Sequence, residues 1–113
     1  MAEKYKVLIA ASAKLDIAEK KRYIIKEFKY REYADNYVSK IKKAVKHLDV
    51  FPKGYDSTGF WYRGYKIYFK PAYSHIIFFI VDDTKRTVTV LRVLQDGMDW
   101  EYILHRWIRE SQG

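Results

Sequence analysis

The chain has 113 residues, no cysteine, and 22 Lys and Arg against 14 Asp and Glu, for a formal charge of +8. That length supports one hydrophobic core, so the expectation is a single domain over residues 1–113. The lack of thiols excludes a disulfide framework, a thiolate nucleophile and a thiolate metal site, and 49% hydrophobic with 18% aromatic residues excludes a disordered chain.

The positive charge is uneven: residues 1–54 carry 14 basic and 7 acidic groups, residues 55–113 carry 8 and 7. A surface of this kind steers toward polyanions or an acidic protein, and otherwise serves solubility. The start of the chain lacks a basic leader followed by a signal-length apolar region. The longest apolar run, residues 76–81, falls far short of the roughly 20 residues a membrane helix needs. The expectation is therefore a cytoplasmic protein with no membrane partner.

Residues 4–10 are a short apolar run rich in β-formers and predict a strand, after which Ser12 is placed to cap a helix. Over residues 15–28, Ile17, Ala18, Ile24, Ile25 and Phe28 fall on one side at the helical period. A second helix follows from Ala34, Tyr37, Val38, Ile41, Ala44, Val45 and Leu48, spaced by three and four, which leaves Lys40, Lys42, Lys43 and Lys46 on its other faces. Phe51-Pro52-Lys53-Gly54 ends this helical hairpin, and a polar link leads on to the strands.

In residues 65–70, Tyr65, Ile67 and Phe69 alternate with Lys66, Tyr68 and Lys70, as a half-buried strand requires; Pro71-Ala72 is read as the turn that closes it. Residues 76–81 are apolar on both faces and predict a central strand covered by the helices on one side, and Asp82-Asp83-Thr84-Lys85 supplies the next turn. Residues 87–94 pair back. Asp99 then caps a closing helix whose apolar stripe is Trp100, Ile103, Leu104, Trp107 and Ile108. The predicted class is α+β: an N-terminal strand, an antiparallel helical hairpin, a three-stranded antiparallel meander and a C-terminal helix.

This order, with "AKLDIAEKKRYI", "YADNYVSKIKKAVKHLDVFPKG", "YKIYFKPAYSHIIFFIVDD" and "VTVLRVLQDGMDWEYIL", resembles the RelE/ParE family of toxins from type II toxin-antitoxin systems. The resemblance implies a growth-inhibiting, plasmid-stabilising toxin, neutralised by a cognate antitoxin, with the hairpin lysines Lys40, Lys42, Lys43 and Lys46 as candidate antitoxin contacts. The family holds both DNA gyrase inhibitors and ribosome-dependent mRNA endonucleases. The C-terminal stretch resembles the ParE branch: Arg92, Met98 and Asp99 match, whereas Gln95 stands where that branch often has His and Gly97 where Arg is frequent. Gyrase is thus the preferred target, with Arg92, Gln95, Met98, Asp99 and Trp100 as candidate contacts. Ribosome and mRNA form the alternative, and a decayed, non-toxic interaction module, consistent with Gln95, is a third.

A metal-free endonuclease needs a proton acceptor, cations for the crowded phosphate and a proton donor for the leaving oxygen. Lys66, Lys70, Tyr73, His75 and Arg92 are the available parts, although solvated strand lysines and a turn histidine explain most of them more simply. Arg92 lies among Val90, Val93 and Leu94 and needs a partner if buried; Asp96 and Asp99 are near, so an internal pair joining the last strand to the last helix is the preferred reading. Asp99 also reads as an N-cap worth about 1 kcal/mol, with Met98 and Trp100 anchoring the helix it opens. His47, His75 and His105 are too scattered for a metal site, no glycine-rich phosphate loop occurs, and no cofactor is expected.

Overall fold

In the computed structural model, which describes residues 4–112, strand β1 (Lys6–Ile9) leads into helices α1 (Ala11–Phe28) and α2 (Arg31–Lys46). Short 3-10 turns, His47–Asp49 and Pro52–Gly54, lead to β2 (Asp56–Tyr62), β3 (Tyr65–Ala72), β4 (His75–Asp82), β5 (Thr87–Gln95) and α3 (Trp100–Gln112). The strands form one sheet in the order β1-β5-β4-β3-β2. β1 runs parallel to β5 and every other neighbour is antiparallel. The predicted architecture holds, with a meander of four strands rather than three.

The added strand is β2, where a polar link was expected. Its sequence hides it: Asp56 and Gly59 are poor strand formers, and the register shifts between Ser57 and Trp61 around Gly59 at φ +87°. Thr58 steadies the bulge by donating its hydroxyl to the Ile67 carbonyl at 2.9 Å and accepting the Phe60 amide at 3.0 Å. Phe60 and Tyr62 then point inward against α3.

The turn assigned to Pro71-Ala72 also moves. Both residues belong to β3, paired with Ile76 and His75, and the reversal is Tyr73-Ser74 with Tyr73 at φ +60°. Proline is tolerated because β2 reaches only as far as Phe69, so no strand on that side asks for the missing amide. Ser12, expected as a cap, lies inside α1; the cap position is Ala10, without a side-chain bond.

Two layers cover the sheet, one on each face. The α1–α2 hairpin closes one with Ile17, Ile41, Val45 and Leu48 over Ile77, Phe79, Val88 and Val90. α3 closes the other with Leu104 and Ile108 over Ile67, Phe78, Leu91 and Leu94. β4, apolar on both sides as predicted, is thus buried by both layers rather than by one, and each of its fully enclosed Ile77, Phe78 and Phe79 side chains contributes about 1.5–3 kcal/mol. Phe28, predicted to lie on the buried stripe of the first helix, is instead 55% exposed near the end of the hairpin.

β1 pairs with β5 only as far as Val90, so from Leu91 onward β5 has no strand at its outer edge. α1 takes that place. Ser12 donates to the Leu91 carbonyl at 2.6 Å, Asp16 accepts the Val93 amide at 2.9 Å, and Lys20 donates to Gln95 Oε1 at 3.2 Å. Four helical residues rise about 6 Å and two strand residues about 6.6 Å, so side chains at helix steps of four meet strand positions at steps of two.

Asp16 also receives Arg92, through Nε at 2.8 Å and a terminal nitrogen at 2.9 Å, in a two-pronged pair with both side chains largely buried. This corrects the expected partners of Arg92: it joins the last strand to the first helix, not to Asp96 or Asp99. Asp99 keeps its other predicted role, accepting the Tyr102 amide at 3.3 Å as the cap of α3.

Arg92→Ala should therefore lower stability by about 3 kcal/mol, because it strands a buried carboxylate. Asp99→Ala should cost about 1 kcal/mol as a lost cap. Urea unfolding of the single and double variants should give additive losses for Arg92 with Asp99 and non-additive losses for Arg92 with Asp16.

Candidate functional site

Beyond the Asp16–Arg92 pair the hairpin parts from the sheet, leaving a cleft of about 490 Å3 whose lining includes Asp16, Lys20, Tyr37, His75, Gln95 and Met98. A second hollow of about 510 Å3 shares Lys20, Tyr23, Tyr37 and His75 with it and extends to Phe28 and Tyr33. Together they make a groove between the middle of the hairpin and the β3–β4 and β5–α3 turns. His75 and Gln95 are paired residues at the end of the β4–β5 ladder, which sets the groove's floor.

His75 is no turn histidine. It is 5% exposed, with Nδ1 3.5 Å from Ser74 Oγ and its ring 4.9 Å from that of Tyr37. Its Nε2 and the Tyr37 hydroxyl are both buried without a hydrogen-bond partner among the described residues. Burial, with Lys20 nearby, lowers the His75 pKa from its ordinary 6.5 and favours the neutral ring. Burial, aided by the Asp16 charge, pushes the Tyr37 hydroxyl up to about 12. Lys20 stands over the Tyr23 ring at 4.7 Å and donates to Gln95, and among the described residues it is the cation of the cleft without a carboxylate partner, since Arg92 is taken by Asp16. Hydrogen-bond donors and aromatic walls of this kind suit binding of an acceptor group.

The endonuclease candidates do not converge. Lys66 pairs with Trp61 at the opposite end of β3 from the His75 pairing, roughly 20 Å of strand away, and lies over the Trp61 ring at 5.9 Å. Lys70, on the same face as expected, is not a solvated lysine: it donates to the Ala44 carbonyl at 2.9 Å near the end of α2. Tyr73 is exposed in its turn, with Lys40 5.4 Å from its ring centre, and Arg92 is committed to Asp16.

Of the predicted target contacts, Gln95 and Met98 are exposed and line the cleft. Trp100 is packed against Phe69 and Phe78, and Asp99 is occupied as a cap. Gly97 adopts φ +95°, a backbone that disfavours side chains, which explains glycine in this turn. Lys42, Lys43 and Lys46 are exposed along α2. Sequence reading missed Asp16, Lys20 and Tyr37; the Ser12, Asp16, Lys20 spacing was visible, but nothing in it named β5 as the partner. Among the described residues no cluster of three His, Cys, Asp or Glu could hold a metal, and no helix is long and apolar enough to cross a membrane.

The two buried rings give opposite pH signatures. Unfolded His75 takes up a proton near 6.5 while the folded ring resists it, so stability should fall as pH drops below that value, and His75→Phe should lack this loss. Unfolded tyrosine ionises near 10 while Tyr37 holds its proton to about 12, so stability should also fall across that interval, less so in Tyr37→Phe. Denaturant midpoints measured against pH for the three proteins check both.

Solved structures of toxin-antitoxin systems share this fold. The chain aligns with a chain of the chromosomal ParDE TA system from P. aeruginosa at a TM-score of 0.65 and 15% identity, covering 83% of this chain and 98% of that one. It aligns with a chain of the toxin-antitoxin complex RelBE2 from Mycobacterium tuberculosis at 0.56 and 16%, covering 84% and 94%. No curated protein matches by sequence. The family model described as ParE toxin of type II toxin-antitoxin system, parDE, matches residues 7–100, from β1 through the β5–α3 turn to the first residue of α3. The chain belongs to the ParE toxin family of type II toxin-antitoxin systems.

Proposed function

We propose that the chain is a cytoplasmic toxin that arrests growth by binding DNA gyrase, without catalysis of its own, and that a cognate antitoxin neutralises it. The observation that carries the reading is the dispersal of the catalytic candidates: Lys66 and His75 are at opposite ends of the β3–β4 pair, and Arg92 and Lys70 are engaged internally. An endonuclease needs its cations and proton carriers around one phosphate. A binding toxin needs only an accessible surface, and Gln95 and Met98 next to the exposed β5–α3 turn provide one. The antitoxin reading is supported by family membership and by the fold shared with chains from the ParDE and RelBE2 toxin-antitoxin structures.

On induction, DNA damage should precede transcript cleavage, and the purified chain should inhibit gyrase supercoiling. Lys66→Ala with Lys70→Ala should leave growth arrest intact while lowering stability by about 1 kcal/mol through the lost bond to Ala44. Early cleavage of ribosome-bound transcripts that this double variant abolishes would instead assign the endonuclease reading. Co-expression of the adjacent small gene should restore growth and yield a complex.

A further inference from the structure

Arg92, Lys53, Lys21 and Arg106 each face a carboxylate, whereas at the far end of α2 no carboxylate among the described residues answers Lys40, Lys43, Lys46 or Lys70. Lys40, Lys43 and His47 follow at steps of three and four, so they stack along one side of α2 and its cap over about 10 Å. That side faces the end of β3. Lys43 and His47, with Lys70 and Tyr73, line a hollow of about 260 Å3 that no acidic residue borders among those described. Lys70 is held there by its bond to the Ala44 carbonyl at 2.9 Å, which takes one of its three donors, and Lys40 lies 5.4 Å from the Tyr73 ring centre. The C-terminal end of α2 points here, and its dipole alone would repel an anion. That dipole amounts to about half an elementary charge. The full charges of Lys43, Lys46 and Lys70 outweigh it, and Lys70 sits on one of the terminal carbonyls.

We infer that this end of α2 and β3 is a seat for the phosphate backbone of duplex DNA, bound without regard to sequence and independently of whether gyrase is the target. A run of cations about 10 Å long matches the axial length of roughly three phosphates on one strand, and each phosphate it neutralises releases a counterion. Duplex is favoured over single strand because sequence-tolerant binding of single strands needs ring faces for the bases. Tyr73 is the one ring lining the hollow, and Lys40 already lies against it. Nucleic acid is favoured over an acidic protein because the apolar lining is only Ala44, Pro71 and Ala72, too small to seat an anchoring side chain, and protein interfaces are poor in lysine.

The test titrates the full chain with a mixed-sequence 20-base-pair duplex, with one of its strands alone, and with a polyglutamate of equal charge, following the ring signals of His47 and Tyr73 by NMR. The duplex should give saturable shifts at both rings, with a Kd on the order of 10 μM and a log Kd that rises with log salt at a slope of about 3. Lys40→Gln and Lys43→Gln should each lower that slope by about 1 and weaken binding severalfold. Lys26→Gln, which removes an exposed lysine near the end of α1, should change neither. Folding of each variant is read from its unperturbed core signals. A second duplex of unrelated sequence should bind equally well. No saturable shift at these rings up to millimolar duplex, tighter binding of the single strand, or equal binding of polyglutamate overturns the inference. An equal loss in Lys26→Gln would make the attraction diffuse and overturn the site as well.

Discussion

Asp16 is the point on which the arrangement of this molecule turns. One carboxylate accepts three hydrogen bonds, two from the Arg92 fork and one from the Val93 amide, at the edge of β5 where β1 has already ended. Without it, a buried guanidinium and a strand amide would both lack partners, and each omission is costly in a poorly solvated place. The same contacts fix the helix against the strand in register. Ser12 and Lys20, one turn to either side of Asp16, reach Leu91 and Gln95 because the rise of one helical turn nearly equals that of two strand residues.

That register decides what the groove contains. Lys20 is delivered to Gln95, opposite His75, and α2 brings Tyr37 against the His75 ring from the other side. The residues nearest the Asp16 pair are therefore held by internal partners, whereas Glu19, Tyr23, Gln95 and Met98 around the groove are exposed. Rigidity and accessibility sit side by side, a common placement for a binding surface because the scaffold sets its geometry in advance. The α3 layer on the opposite face is closed by Trp100, Ile103, Leu104 and Ile108.

The fold itself does not choose a molecular target. The same sheet and hairpin occur in chains from the ParDE and RelBE2 structures, so choice between targets depends on which side chains are free at the surface. In this chain Arg92, the cation that the family likeness and the chemistry both singled out, is tied to Asp16 in a two-pronged, largely buried pair. Its conversion from candidate contact to internal brace shifts attention to Gln95, Met98 and the groove.

Elements whose signal is periodic and local could be read from residue order alone. The two hairpin helices, the doubly apolar β4 and the stripe of α3 were legible because burial on one or both faces writes directly into residue spacing. Asp99 as a cap was legible because its partner is three residues away. The remaining features follow from contacts between distant segments. β2 was hidden because an edge strand with a bulge shows weak alternation, and Pro71 misled because its tolerance depends on how far a neighbouring strand extends. The partner of Arg92 lies 76 positions away, beyond any local pattern, and the burial of His75 depends on Tyr37 arriving from a different helix. Composition and spacing report what a residue's own segment buries; what meets it across the fold is set by register and packing between segments.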